Sequence, residues 1–297
     1  MNKRVIFWLA ISFLVLIDTG LILYQFVYRQ PKADVNPTPN PISTDQFNLL
    51  PQNSPNINAP LIEFKNSQDI YTLDENYFYS SPVLFERDSD NLLFLTRGKA
   101  SVKYDEIVYA KSFDLEKWQD EISIKKFTNE KLIDLSGTKT DQGFYLFYIT
   151  QNADNKYETN YLFSQSGTDW EEKTLNINTD GLIKIAATQD KGSLRVIFLN
   201  SDQKTIKQSF LLQNKTWTSL TDVIKLNLSV SDIDIFKKTD YFYLLFSNSN
   251  VLYETGSLDF HTFNEPTNIV NLKDNNFNLS TAGVVILTNN NVFLYPF

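Results

Sequence analysis

Two carboxylates stand two residues apart in Ser231-Asp232-Ile233-Asp234. Residues i and i+2 of a strand share a face, so Asp232 and Asp234 could work as an acid/base pair or hold an ion. Other chemistries are poorly supplied. The 297 residues contain no Cys and one His, His261, which rules out thiolate metal sites, cysteine nucleophiles and disulfide scaffolds and leaves little for a Ser-His-Asp triad. Nine glycines form no phosphate-binding loop, and no EF-hand loop is present, so no metal and no cofactor is expected. With 27 Lys+Arg against 35 Asp+Glu, nucleic acid is not an expected partner.

The elements that must position these carboxylates emerge from a repeat. Turn clusters centred on Asp90, Asp141, Asp190, Asp240 and Asn290 recur at intervals of 51, 49, 50 and 50 residues. Each lies between two short apolar segments, such as Leu132–Thr138 and Phe144–Thr150, so each unit begins with a hairpin. A third segment then runs into a polar turn and an aromatic residue: Trp118, Trp170, Trp217 and Phe263. A fourth follows, as in Ile122–Phe127. Four antiparallel strands per unit of this length predict the blade of a β-propeller. The last unit, Thr281–Thr288 with Val292–Phe297, has two strands, and Leu61–Lys65 with Ile70–Leu73 supplies the missing pair. The expected fold is therefore all-β: a five-bladed β-propeller over 61–297 whose ends share one blade. A ligand site would lie where the innermost strands start. That ring contains Ser81, Asp180, Ser231, Asp232 and Thr281, with Tyr79 nearby as an aromatic platform. Hydroxyls, carboxylates and a ring of this kind suit a sugar.

The turn Ser166-Gly167-Thr168-Asp169-Trp170 resembles a degenerate Asp-box, the hairpin of sialidase-type propellers, with weaker copies at Ser112-Phe113-Asp114 and Ser257-Leu258-Asp259. In that motif the Ser and Asp side chains bond backbone groups of the turn, a structural role. The five-blade pattern is similar to glycoside hydrolases of families 43 and 32. That resemblance implies an Asp on the first inner strand just before a Pro, with a second Asp and a Glu further round the ring. Here the first position is Ser81, before Pro82; blade two offers Asp134, blade three Lys184 and no Glu, and blade four Asp232 and Asp234. Asp134, Asp232 and Asp234 are thus the candidate catalytic residues if the chain is an enzyme.

Ahead of the propeller, Val5–Tyr28 is a run of 24 residues with one charge, Asp18, long enough to cross a bilayer. Residues 1–29 are expected to form a transmembrane signal anchor, with Lys3 and Arg4 keeping the N-terminus cytoplasmic. The competing reading is a cleaved signal peptide with Val5–Ile17 as its apolar core, although no clear small-x-small site follows. Residues 30–60 hold seven of the ten prolines and predict an extended Pro/Asn-rich linker. The propeller, with 23 basic and 32 acidic residues, would then be extracytoplasmic. The leading expectation is a membrane-anchored, non-catalytic binding module for a carbohydrate or envelope component. A divergent glycosidase and a protein-interaction scaffold are the alternatives.

Overall fold

The computed structural model describes residues 65–99, 103–213, 215–248, 251–260, 262–271, 276–279, 283–288 and 291–296. The apolar run Val5–Tyr28, the linker 30–60, His261 and Thr281 lie outside the described residues. Among the described residues there is no helix long and apolar enough to cross a membrane.

Among the described residues, twenty strands form five four-stranded antiparallel sheets. The chain enters through β1, Gln68–Thr72. Blade I is β2 (Phe78–Glu86), β3 (Asn91–Gly98), β4 (Glu106–Ser112) and β5 (Ile122–Lys126). Blade II is β6 (Lys131–Thr140), β7 (Gly143–Gln151), β8 (Tyr157–Ser164) and β9 (Glu171–Thr174). Blade III is β10 (Leu182–Asp190), β11 (Ser193–Asn200), β12 (Thr205–Phe210) and β13 (Thr221–Lys225). Blade IV is β14 (Asp232–Lys238), β15 (Tyr241–Asn248), β16 (Val251–Ser257) and β17 (Thr267–Asn271). Blade V is β18 (Asn276–Leu279), β19 (Gly283–Leu287), β20 (Asn291–Pro296) and, outermost, β1.

Blade V corrects the sequence reading. The ends do share a blade, but three strands come from the C-terminal side and one from the N-terminal side, where two and two were expected. The segment taken as the innermost strand is β19, the second. The true innermost strand, Asn276–Leu279, is Asn-Phe-Asn-Leu, an alternation of only four residues. β1 then zips against β20, Gln68 opposite Leu294 and Thr72 opposite Asn291, which closes the ring and covers the edge of β20.

The second strand of blades I to IV is the most apolar, because both of its faces pack against a neighbouring blade. Leu92–Leu95, Leu146–Ile149, Val196–Leu199 and Leu244–Phe246 are all buried. The clusters they form bridge blades rather than fill them: Val83, Phe85 and Phe94 of blade I pack with Leu135, Leu146 and Tyr148 of blade II. Apolar burial therefore holds the ring as a ring.

The polar turns after the third strands close in the way the Asp-box resemblance implies. Ser257 Oγ accepts from Phe260 N at 2.8 Å, and Asp259 Oδ1 from Thr262 N at 2.9 Å. Asp114 Oδ1 accepts from Glu116 N and Lys117 N. In blade II the frame sits two residues earlier than the sequence suggested: Ser164 Oγ accepts from Gly167 N at 2.8 Å, and Ser166 takes the second position. The aromatic residue after each turn reaches back to the preceding blade. Trp118 meets Tyr71, Trp170 meets Phe94 and Trp217 meets Phe147, with ring centroids 5.3–5.9 Å apart.

Candidate functional site

The innermost strands of blades I, II and III share a local irregularity near their starts. In β2 the pairing with β3 skips from Ser80 to Val83; in β6 it skips from Leu132 to Asp134; in β10, from Leu182 to Lys184. Each skip is a β-bulge, which bends the strand and re-aims the side chains beside it. Ser81, inside the first bulge, has a φ of 48°, the left-handed region. A serine gains nothing from that conformation by itself, so the bulge imposes it. Such strain collects at functional sites.

The three bulges deliver three polar side chains to the axis, where blade IV adds a fourth. Ser81 Oγ donates to Asp134 Oδ1 at 3.0 Å. Ile185 N donates to Asp134 Oδ2 at 2.9 Å. Lys184 Nζ lies 3.2 Å from Asp134 Oδ1 and 3.2 Å from Asp232 Oδ1. The two carboxylates therefore stand no further apart than twice that distance. Phe277 N of blade V donates to Asp232 Oδ2 at 3.5 Å. Four blades thus converge on one Asp–Lys–Asp cluster, and the fifth touches it through its backbone.

Electrostatics separate the two carboxylates. Burial pushes Asp232 up to about 7, with Asp134 adding to the rise and the Lys184 ammonium opposing it. Burial also works against the Lys184 charge, but Asp134 and Asp232 outweigh it and hold its pKa above the ordinary lysine value. Asp134 accepts from three donors. One carboxylate is set to carry a proton near neutrality while its neighbour is surrounded by donors, an arrangement suited to acid/base work or to gripping hydroxyls.

The residues singled out from sequence do not all meet there. Asp234 is buried one pair of residues further along β14 and accepts from Ile235 N at 2.7 Å. Asp180 is exposed on the loop before β10, where it accepts from Tyr157 N. Ser231 pairs with Ser247 of its own blade, Oγ to Oγ 2.9 Å. Tyr79 is 6 % exposed, packed among Leu84, Leu93 and Leu95, with its hydroxyl on Glu121 Oε2 at 3.1 Å. It stands in a blade boundary and presents no open aromatic face. Lys184 was seen on the third inner strand but not as the link between the carboxylates. Its signal was in the spacing: Asp134, Lys184 and Asp232 are 50 and 48 residues apart, one repeat each. Among the described residues no group of three or more His, Asp or Glu could hold a metal ion.

A cavity lies at the other end of the axis. It has a volume of about 630 Å³ and is bounded by the last residues of β2, β6, β10 and β14. The sequence reading placed the pocket where these strands start. There the ion cluster stands at the axis, and this cavity lies where the strands end.

No protein-family model and no curated protein matches this sequence. Solved structures do match. The chain is similar to a family 43 (GH43_1) enzyme from Xanthomonas citri complexed with xylose, with a TM-score of 0.59 and 9 % identity over 74 % of this chain and 83 % of that one. It is similar to the RS223 β-xylosidase, with a TM-score of 0.60 and 7 % identity over 77 % and 94 %. An exo-β-1,3-galactanase from Clostridium thermocellum gives 0.56 and 11 % over 72 % and 57 %. The class is thereby defined: a five-bladed β-propeller with the fold of family 43 glycoside hydrolases. The axial residues of this chain are Ser81, Asp134, Lys184 and Asp232.

Proposed function

We propose that the propeller is a divergent glycosidase that works at the inner-strand starts, with Asp232 as the proton donor and Asp134 as its partner carboxylate. One observation carries the reading: two buried carboxylates within reach of each other, Asp232 raised by its burial. Glycoside hydrolysis uses such a pair at about 5–9.5 Å, one member with a raised pKa. In the free protein Lys184 stands between them, so a saccharide must take the place of its ammonium. Asp232 then protonates the departing glycosidic oxygen, and Asp134 attacks the sugar or activates a water. Several solved structures of this fold are β-xylosidases or carry xylose or xylotriose, which makes short xylo-oligosaccharides the first substrates to try.

A second reading, a non-catalytic sugar-binding module, is favoured by Lys184 and Ser81. A lysine fills the space between the carboxylates, and a serine stands where the family resemblance places an Asp. Release of reducing sugar from xylo-oligosaccharides and galactan, measured for the wild type, Asp232→Asn and Asp134→Asn, separates the two. Hydrolysis lost in both variants supports the glycosidase. Saccharide binding without hydrolysis, weakened by Asp232→Asn, supports the module. Neither binding nor hydrolysis refutes both. The same proposal sets the propeller outside the cell on the Pro/Asn linker, anchored by Val5–Tyr28. Protease digestion of intact cells tests it, since only an external domain is cut.

A further inference from the structure

The cavity at the inner-strand ends is separate from the Asp–Lys–Asp cluster and is not used by the proposed hydrolysis. Its 630 Å³ is the size of a small-molecule site. Its walls are of two kinds. Leu84, Phe85, Ile235 and Phe236 make an apolar, partly aromatic surface, while Thr138, Thr188 and Gln189 contribute hydrogen-bonding groups. Three lysines, Lys139, Lys237 and Lys238, stand against two carboxylates, Glu86 and Asp234. A third carboxylate, Asp190, stands just outside the lining. Lys237 is committed to Asp190 at 2.7 Å. Lys139 is different: it is exposed, its ammonium donates to the Glu86 carbonyl at 3.3 Å, and no carboxylate among the described residues pairs with it. It stands at the edge of an aromatic pocket with charge to offer.

We propose that this cavity is a second ligand site, one that takes a small organic anion with a flat apolar body, such as an aryl carboxylate. The body lies against Phe85, Ile235 and Phe236, and the anionic head meets Lys139 and Lys238 at the lip. Burying an apolar face supplies affinity, and the ammonium groups orient the head and select for charge.

The test uses the full chain and two probes of equal shape, 2-naphthoate and neutral 2-naphthalenemethanol, titrated by fluorescence at low and high salt. Saturable one-to-one binding of the naphthoate is expected. It should weaken about tenfold in the Lys139→Gln/Lys238→Gln double variant, and by a smaller factor in high salt. The neutral probe should bind more weakly and be unaffected by the lysine changes. Both lysines are exposed, so the double variant keeps its fold. Thr138→Trp, which fills the cavity, should abolish binding of both probes, with circular dichroism confirming a folded ring. The proposal is overturned by the absence of saturable binding, by equal affinity for the two probes, or by naphthoate binding that survives both the lysine changes and a folded Thr138→Trp. Sugar hydrolysis plays no part in the readout, so the fate of the glycosidase proposal leaves this result untouched.

Discussion

Asp232 offers a quantitative test of the axial electrostatics. Its pKa moves from an ordinary carboxylate value of 3.8 to about 7 on folding. A group whose folded pKa is raised favours the folded state most when protonated in both states, below about pH 4. As pH rises from there to about 7, the unfolded chain releases the proton and the folded one keeps it. Stability therefore falls by about 1.4 kcal/mol per pH unit, about 4 kcal/mol in all, and then levels off. Asp232→Asn removes this titration and keeps the shape. The stability difference between variant and wild type is the quantity to measure, because carboxylates with lowered pKa, such as Asp90 and Asp190, titrate in both proteins and cancel. Urea unfolding followed by tryptophan emission suits the fold, since Trp118, Trp170 and Trp217 all sit at blade boundaries. The variant should match the wild type near pH 4 and exceed it progressively, by up to about 4 kcal/mol, by pH 8. A difference that stays flat from pH 4 to 8, or a wild type that gains on the variant, would refute the burial argument.

Three further outcomes follow from the same geometry. Lys184→Met leaves two buried carboxylates facing each other without their cation; it should destabilise the ring by about 3–5 kcal/mol at pH 8 and less at pH 5, where Asp232 is protonated, as urea midpoints at the two pH values would register. Gly137→Ala puts a methyl group 2.6 Å from Phe85 Cζ and Val83 Cγ1; the thermal midpoint should drop by an amount equivalent to about 1–3 kcal/mol, and an unchanged midpoint would mean the blade I–II boundary is looser than described. Arg195 stacks on Phe210, Phe242 and Phe260 with its charge on Asp190 and Gln208, so Arg195→Ala should cost about 3 kcal/mol or more in denaturant unfolding, mainly through lost packing, with Asp190 left to Lys237 alone.

The repeat was legible because propeller blades impose a turn about every fifty residues, and the apolar second strands are needed by both neighbouring blades. Strand boundaries in blades I to IV fall within a few residues of the sequence reading. Blade V was misphased because Asn276–Leu279 is only four residues long and half asparagine, too short for its alternation to be told from a loop. The bulges were invisible: nothing in Leu132-Ile133-Asp134 or Leu182-Ile183-Lys184 marks the extra residue. They nevertheless decide that Asp134 and Lys184 reach the axis. Asp180 and Tyr79 show the converse limit. Both lie near inner-strand starts in sequence, yet a short loop carries one to the surface and a blade boundary absorbs the other. Contacts between strands fifty residues apart are set by ring geometry, which a periodicity fixes only to the nearest residue or two.

The pairing of Gln68 with Leu294 has a consequence for biosynthesis. β1 is translated before every other described strand, yet its partner is the last of them to be made. Blades I to IV can assemble hairpin by hairpin as they leave the ribosome, each covering one side of its predecessor. Throughout that time β1 has no sheet to join, and the outer faces of blades I and IV stay open to solvent. A nascent chain stalled before Tyr295 carries both exposed faces and an unpaired strand, the features that chaperones bind and that drive aggregation.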